Sequence, residues 1–245
     1  MSKGIKYAML LAGVVCLAFL SCKKEQQQSP VYMGYDYFPN NVGHYVIYRC
    51  DSIIANPLTP NVIPPFDTFH YQVKEVIDSI YLNNQGQLTQ RIVRYKRTDS
   101  TIPWSNILTI QKIWTGTLLT TMATRLEDNI NYIKLVFPIK PSEQWNGNAM
   151  NTLALPGSYQ YTALNTPAVI NGVRFDSTLT VMEVNNPSRI GNQYYYEQYA
   201  AGVGLVYREV IDWSTSKFSF FTPPPVDSAT AGTVIYTESY LSSGN

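Results

Sequence analysis

Histidine and cysteine are scarce in this chain of 245 residues, which has two histidines and three cysteines. A zinc site draws on several such ligands, and the sequence has neither an HExxH nor a CxxC motif. It also lacks an Asp-rich calcium loop and a glycine-rich phosphate loop. We therefore expect no cofactor, no metal site and no enzymatic activity.

Charged residues are also few, at 14% of the chain, and the two signs nearly cancel. Lysine and arginine number 18 against 17 aspartates and glutamates, and removal of Lys3 and Lys6 leaves 16 − 17 = −1. A near-neutral chain lacks the basic footprint of a nucleic-acid-binding protein. We therefore expect no nucleic-acid partner.

The N-terminal residues have the pattern of an export signal. Two lysines precede an apolar stretch, residues 8–20, which is too short for a membrane-spanning helix but has signal-peptide length. It ends in Phe-Leu-Ser-Cys at 19–22, which resembles the lipobox of bacterial lipoproteins. The resemblance implies cleavage between Ser21 and Cys22, with lipid on Cys22. The alternative is a plain secretory signal, which requires small residues where bulky Phe19 stands.

This interpretation divides the chain into three parts. Residues 1–21 are the predicted signal peptide, 22–34 a lipidated flexible tether and 35–245 a β domain. Two or more acyl chains hold a protein stably on a membrane. We therefore predict a lipid-anchored protein of the cell envelope on the outer membrane, with the periplasmic and surface faces both open.

Alternation of apolar and polar residues dominates after residue 40 and predicts an all-β domain. Nineteen tyrosines and 13% aromatics also favour strands. The fold predicted is a single antiparallel meander of roughly ten strands, as a curved open sheet (half-barrel) or a barrel. The predicted strands are 44–51, 68–82, 88–98, 106–115, 117–127, 130–138, 175–184, 192–200, 203–213, 216–222 and 233–241. Turns are predicted at 83–86, 115–117, 128–129 and 171–172, and loops at 55–66 and 139–158.

Cys50 is the one cysteine outside the signal and the lipid site, so no intrachain disulfide is expected. A pairing with His44 would need two side chains that are six residues apart on one strand to meet across about 20 Å. We therefore expect Cys50 to be a small buried hydrophobic residue.

Two short motifs resemble a known group of proteins. One is Tyr-Phe-Pro at 37–39 followed by Gly43 and Tyr45, and the other is the stretch 199–206 followed by Arg-Glu at 208–209. Both are similar to segments of Bacteroidota-type cell-envelope lipoproteins of unassigned function. The resemblance implies a curved antiparallel sheet, loosely similar to lipoprotein-carrier half-barrels, with no agreed ligand.

Six of the nine aspartates precede serine or threonine, which is more than chance predicts. Five of the resulting triplets resemble the O-glycosylation sequon of exported Bacteroidota proteins. The alternative is turn chemistry, since Asp and Ser side chains bond nearby backbone groups. The predicted acceptors, ranked by expected exposure, are Ser228, Ser52 and Ser100, then Ser79 and Ser177.

These features favour a non-enzymatic, membrane-tethered β domain that binds an apolar ligand, a glycan or an envelope protein. Tyrosines 194–196 would present rings on both faces of a strand, which permits an apolar cavity or ordinary sheet packing. Two alternatives stay open. One is an envelope hydrolase with an unrecognised site. The other is a surface-assembly subunit that pairs through an edge strand, for which 233–241 is the candidate.

Overall fold

The computed structural model describes residues 31–55, 66–152, 157–215, 222 and 233–245. This part of the chain holds twelve strands and two short 3-10 turns, at Tyr35–Tyr37 and Trp104–Asn106. In chain order the strands are β1 (Tyr45–Ala55), β2 (Phe66–Leu82), β3 (Leu88–Arg97), β4 (Ile110–Leu118), β5 (Met122–Glu127), β6 (Ile130–Val136), β7 (Gln144–Asn146), β8 (Ser158–Ile170), β9 (Val173–Ser188), β10 (Gly191–Ala200), β11 (Gly204–Ser214) and β12 (Val234–Gly244).

All twelve strands belong to one antiparallel sheet with the order β6-β5-β4-β3-β2-β1-β12-β11-β10-β9-β8-β7. Each strand pairs with its chain neighbours except at β6 and β7, which are the two edges of the sheet, and the first and last strands pair with each other at the centre. The predicted all-β antiparallel meander is confirmed, with twelve strands where roughly ten were expected.

The two edge strands, β6 and β7, lie side by side, so the sheet nearly closes into a barrel. The backbone N–H of Ile133 donates to the Gly147 carbonyl at 2.9 Å, and the Trp145 indole donates to the Ile133 carbonyl at 2.8 Å. The Tyr161 hydroxyl accepts from the N–H of Val136 and donates to its carbonyl, at 2.9 and 2.8 Å. Backbone groups of the β6 edge are thereby bonded within the chain.

Three of the four predicted turns are present. At 83–86 an asparagine side chain accepts two backbone N–H bonds, and at 128–129 and 171–172 both residues have the positive φ of a type I′ hairpin. The turn predicted at 115–117 is wrong, because Gly116 lies inside β4 and the chain turns after Leu118. A Cβ at Gly116 would lie 3.1 Å from the ring of Phe38, so this glycine permits a close approach.

Two predictions about the second half of the chain need correction. The loop expected at 139–158 contains β7, and the strand β8 that follows it was not predicted. Strand 233–241, the candidate for edge pairing, is β12 and lies between β1 and β11 at the centre of the sheet. Of the strand predicted at 216–222, residues 216–221 lie outside the described part of the chain.

Alternate connections of an antiparallel meander lie at the same end of the strands, which gives the barrel two distinct ends. The connections at the closed end, as we call it, are 83–87, 119–121, 137–143, 171–172 and 201–203. Those at the open end include 98–109, 128–129, 147–157 and 189–190.

The closed end is filled by the segment 31–44, which precedes β1. Tyr35 donates its hydroxyl to a carbonyl of the β4–β5 turn at 2.8 Å, and Gly202 donates its N–H to the Asp36 carbonyl at 2.8 Å. Tyr37 is 1% exposed and belongs to the main apolar core. The chain therefore enters the domain at its closed end.

The two motifs that carry the family resemblance meet at this end. His44 Nε2 donates to the Val203 carbonyl at 3.0 Å. Gly204 has a φ of 90°, and a Cβ there would lie 3.1 Å from Pro39. The described contacts give both motifs a structural role in sealing the barrel.

Candidate functional site

The open half of the barrel interior is lined by ionised side chains at positions where a core would normally be apolar. Nine of them form one network of ion pairs, and no side chain in it is more than 12% exposed. We call this network the charged chamber. Its members are Glu75, Arg94, Arg125, Glu127, Lys134, Glu183, Glu197, Arg208 and Glu238.

One half of the network joins β2, β3, β5 and β12. Arg94 donates to Glu238 at 2.7 Å and lies 3.2 Å from Glu75. Arg125 donates to the same Glu75 carboxylate at 3.0 Å and lies 3.3 Å from Glu127. Each guanidinium therefore bridges two carboxylates that come from different strands.

The other half joins β5, β6, β9, β10 and β11. Arg208 donates to Glu127 at 2.9 Å and to Glu197 at 2.7 Å. Lys134 donates to Glu197 at 2.9 Å and to Glu183 at 3.0 Å. Glu197 thus links the arginine to the lysine, while Glu183 has the lysine as its one cationic partner among the described residues.

Trp114 lies against the arginines of the chamber. Its ring centroid is 3.8 Å from Arg94 Cζ, 5.1 Å from Arg125 Cζ and 5.9 Å from Arg208 Cζ. Its indole N–H donates to Asp128 at 3.2 Å. An aromatic face of this kind stabilises cations that are withdrawn from water.

Two of the cavities that border the chamber share Glu127 and Arg208 in their walls. One measures about 270 Å³ and is also lined by Arg94 and Trp114. The other measures about 230 Å³; three tyrosines, Lys134 and Glu183 contribute to its walls. Small-molecule sites are concave spaces on which a few polar groups converge, and both cavities have this character.

The acids of the chamber differ in their proton affinity. Burial would raise the pKa of Glu197, but Lys134 and Arg208 outweigh it and hold that pKa at about 2. Burial raises the pKa of Glu183 to about 7, because Lys134 offsets only part of the desolvation. Glu197 is therefore ionised at neutral pH, whereas Glu183 is near its titration point.

Glu183 occupies a β-bulge in β9. In the ladder with β10, Tyr195 pairs with Val184 and Tyr196 pairs with Met182, so Glu183 has no partner residue opposite it. A bulge bends a strand and redirects a side chain, and such bulges occur frequently beside functional sites. Here the bulge accompanies a carboxylate on the wall of the 230 Å³ cavity.

The tyrosines at 194–196 are divided between the two faces of β10. Tyr195 lines the 230 Å³ cavity. The rings of Tyr194 and Tyr196 are 5.4 Å apart, and that of Tyr196 is 5.5 Å from the ring of Tyr207. The cavity beside Tyr195 is lined by apolar and aromatic side chains as well as by ionised ones.

Cys50 is fully buried, as expected. Burial raises the pKa of its thiol to about 12, and the Tyr236 hydroxyl lies 3.6 Å from its sulfur. The two histidines have different partners: His70 lies 2.6 Å from Asp51 on an exposed surface, whereas His44 is buried at the closed end. In the described part of the chain, no group of three or more His, Cys, Asp or Glu side chains could hold a metal ion.

The predicted lipid and glycan sites differ in whether they lie among the described residues and in how exposed they are. Ser21, Cys22 and Ser228 lie outside the described residues, so the anchor stays a prediction. Ser100 is exposed in a turn after β3, where the preceding aspartate accepts two hydrogen bonds from residue 101. Ser52 lies within β1 and is half-buried, so its expected place at the strand end is wrong.

The two serines ranked lower are also half-buried. Ser79 directly follows a register shift in β2. Ser177 shares a hydrogen bond of 2.7 Å with the buried Tyr37, so a glycan there would have to displace a core contact. Glycosylation at all five serines stays a prediction.

No protein-family model and no curated protein matches the chain. Among solved structures, the chain is similar to a Bacteroides fragilis protein described as an inferred exported protein with a YmcC-like fold. The two are 10% identical with a TM-score of 0.42, over 85% of this chain and 98% of that one. At this level of similarity, no property of that protein is transferred to this one. In the described residues, no helix has both the length and the apolar character needed to cross a bilayer.

Proposed function

We propose that this protein is a lipid-anchored envelope protein that binds a small polar ligand in the charged chamber without catalysing a reaction. The observation that carries the proposal is the pair of cavities, about 270 and 230 Å³, on whose walls ionised side chains converge. An apolar ligand, which the sequence allowed, would displace water from these groups without replacing its hydrogen bonds. The chamber therefore favours a ligand with polar or charged groups.

The export signal and the lipobox support a place in the envelope. Residues 32–44 are packed at the closed end of the barrel. The open end, which holds both cavities, is the opposite end of the strands.

Blocking a cavity tests the proposal. Val210 lines the 230 Å³ cavity, whereas the next residue on β11, Ile211, is directed to the other face of the sheet. Native mass spectrometry of wild-type protein extracted from its own membrane is expected to show a non-covalent mass beyond the lipidated polypeptide. Val210→Phe should lose this mass and the control Ile211→Phe should retain it. A wild-type protein without bound mass, or equal retention in both variants, would contradict ligand binding in this cavity.

One observation favours the alternative of an envelope hydrolase. Glu183 and Glu197 bind the same lysine, yet the pKa of the first is raised to about 7 and that of the second is held at about 2. Enzymes separate the pKa values of two carboxyls in this way to obtain an acid and a base. Incubation of the extracted ligand with fresh protein distinguishes the two functions. Recovery of an unchanged compound supports binding, and conversion that Glu183→Gln abolishes supports hydrolysis.

A further inference from the structure

We propose that the 230 Å³ cavity binds an ammonium group, so that the ligand is a small organic cation. This inference rests on the proposed function and specifies its ligand. The observations behind it are the charge balance of the chamber, the position of Glu183 and the aromatic walls beside it.

Carboxylates outnumber cationic side chains in the chamber. The chamber has four cationic side chains and five carboxylates, so it is one positive charge short when all are ionised. Asp212, on the same face of β11 as Arg208, accepts the Tyr195 hydroxyl at 2.5 Å and adds another carboxylate nearby. A buried carboxylate without a compensating charge is costly, so an additional cation would be stabilised here.

The cations already on the cavity wall are fully engaged. Lys134 is shared by Glu183 and Glu197 at 3.0 and 2.9 Å, and Arg208 is shared by Glu127 and Glu197. Neither can neutralise Glu183 alone. The bulge in β9 nevertheless holds this carboxylate at the cavity, with its side chain 12% exposed.

Aromatic side chains complete the site. Tyr132, Tyr159 and Tyr195 line the cavity together with Glu183. Gly147 packs against the ring of Tyr159, since a Cβ there would lie 2.4 Å from it. Aromatic faces around a carboxylate are the usual recognition elements for organic ammonium groups, through cation–π attraction. An anion would be repelled by the excess of carboxylates, and a neutral ligand would leave Glu183 with only the lysine that it shares with Glu197.

The chemistry of Glu183 makes the expected binding depend on pH. Its pKa is about 7 because of burial, and the ionisable groups that face it are Lys134, Glu197, Arg208, Glu127 and the cavity tyrosines. Above pH 7 the ionised carboxylate attracts an ammonium group. Below pH 7 it becomes protonated and loses that attraction, so binding should weaken.

The probe is n-butylammonium chloride, titrated calorimetrically at pH 8 into the mature lipidated protein in a non-ionic detergent. We expect saturable binding. Its affinity should fall about tenfold at pH 6, where Glu183 is mostly protonated, and about tenfold or more in Glu183→Gln, which lacks the charged partner of the hydrogen bond. The control Glu143→Gln removes an exposed carboxylate at the closed end and should leave binding unchanged. Butan-1-ol, sodium butyrate and magnesium chloride are titrated in parallel.

The outcomes separate this inference from the proposed function. Preferential binding of butanol, butyrate or Mg²⁺, or equal binding of butylammonium by both glutamine variants, would overturn the ammonium assignment. If none of the probes binds while Val210→Phe still releases a native ligand, the ammonium assignment fails and ligand binding stands. If Glu183→Gln does not fold, the ammonium assignment is tested on the wild-type protein by following the pKa of Glu183 with ¹³C NMR. The pKa of Glu183 must fall when butylammonium is added, and an unchanged value would refute the site.

Discussion

Replacing Glu183 by glutamine is expected to change how the stability of the protein depends on pH. Burial raises the pKa of Glu183 from 4.5 to about 7, so between these values the folded protein binds more protons than the unfolded chain. Stability therefore falls as pH rises through this window, by up to about 3 kcal/mol at about 1.4 kcal/mol per pKa unit. Glutamine keeps the shape and removes this cost, but it loses a charged hydrogen bond to Lys134. Because a hydrogen bond to a charged group contributes about 1.5–3 kcal/mol, Glu183→Gln should be about 0–1.5 kcal/mol more stable than wild type at pH 8.

Denaturant unfolding followed by tryptophan fluorescence, at pH 5 and pH 8, measures this difference. The gain should shrink at pH 5, where the Glu183 of the folded protein is mostly protonated. The acids held at low pKa, such as Glu197, stay ionised in the folded protein across this window, and their small contribution near pH 5 is the same in wild type and variant. Glu143→Gln, at an exposed position, should change stability little at either pH. A variant less stable than wild type at pH 8, or a gain of equal size at both pH values, would refute the reasoning.

Four further perturbations have definite expected results. Arg208→Met leaves buried carboxylates unpaired and should lower the free energy of unfolding by about 3–5 kcal/mol, measured by urea titration. Gly147→Ala forces a methyl group against the Tyr159 ring and should cost about 1–3 kcal/mol, seen as a lower Tm. Cys22→Ser should move the protein from the membrane to the soluble fraction, and unchanged fractionation would argue against the anchor. Ser100→Ala should remove a glycan mass in the native host, whereas a wild-type mass equal to the lipidated polypeptide would leave only turn chemistry.

Alternation was sufficient to predict most of the sheet, because strands with one face on a core carry a period of two residues. It failed for β8, which has three register shifts against β9 and a positive φ at Asn165. Two of these shifts insert an extra residue in β8, and the third inserts one in β9. An extra residue moves the side chains that follow it to the opposite face, so the period of β8 is broken within 13 residues. The turn expected around Gly116 failed for a tertiary reason, the approach of Phe38, which no local pattern contains.

The charged chamber could not be predicted by the same logic, since ionised residues in a strand normally indicate a solvated face. A signal was present nevertheless. Glu75 stands between Val73 and Ile77, and all three face the interior; Glu197 has Tyr199 two residues further along the same face. Their partners are distant in sequence, as 50 residues separate Glu75 from its arginine on β5. A lone charge on an apolar face predicts a buried pair, but it does not identify the partner.

The chamber contributes little to the stability of the fold, and this favours a functional reason for its presence. Buried ion pairs recover only about what desolvation costs, and well-packed apolar side chains of similar volume are often as stable or more stable. In the described chamber, Arg94 Nε, Arg125 Nε and Glu238 Oε2 have no hydrogen bond to another protein group. A network kept only for fold specificity would be expected to balance its charges, whereas this one has an excess carboxylate at a bulge beside a cavity. Binding of a cation to that carboxylate would account for both the imbalance and its position.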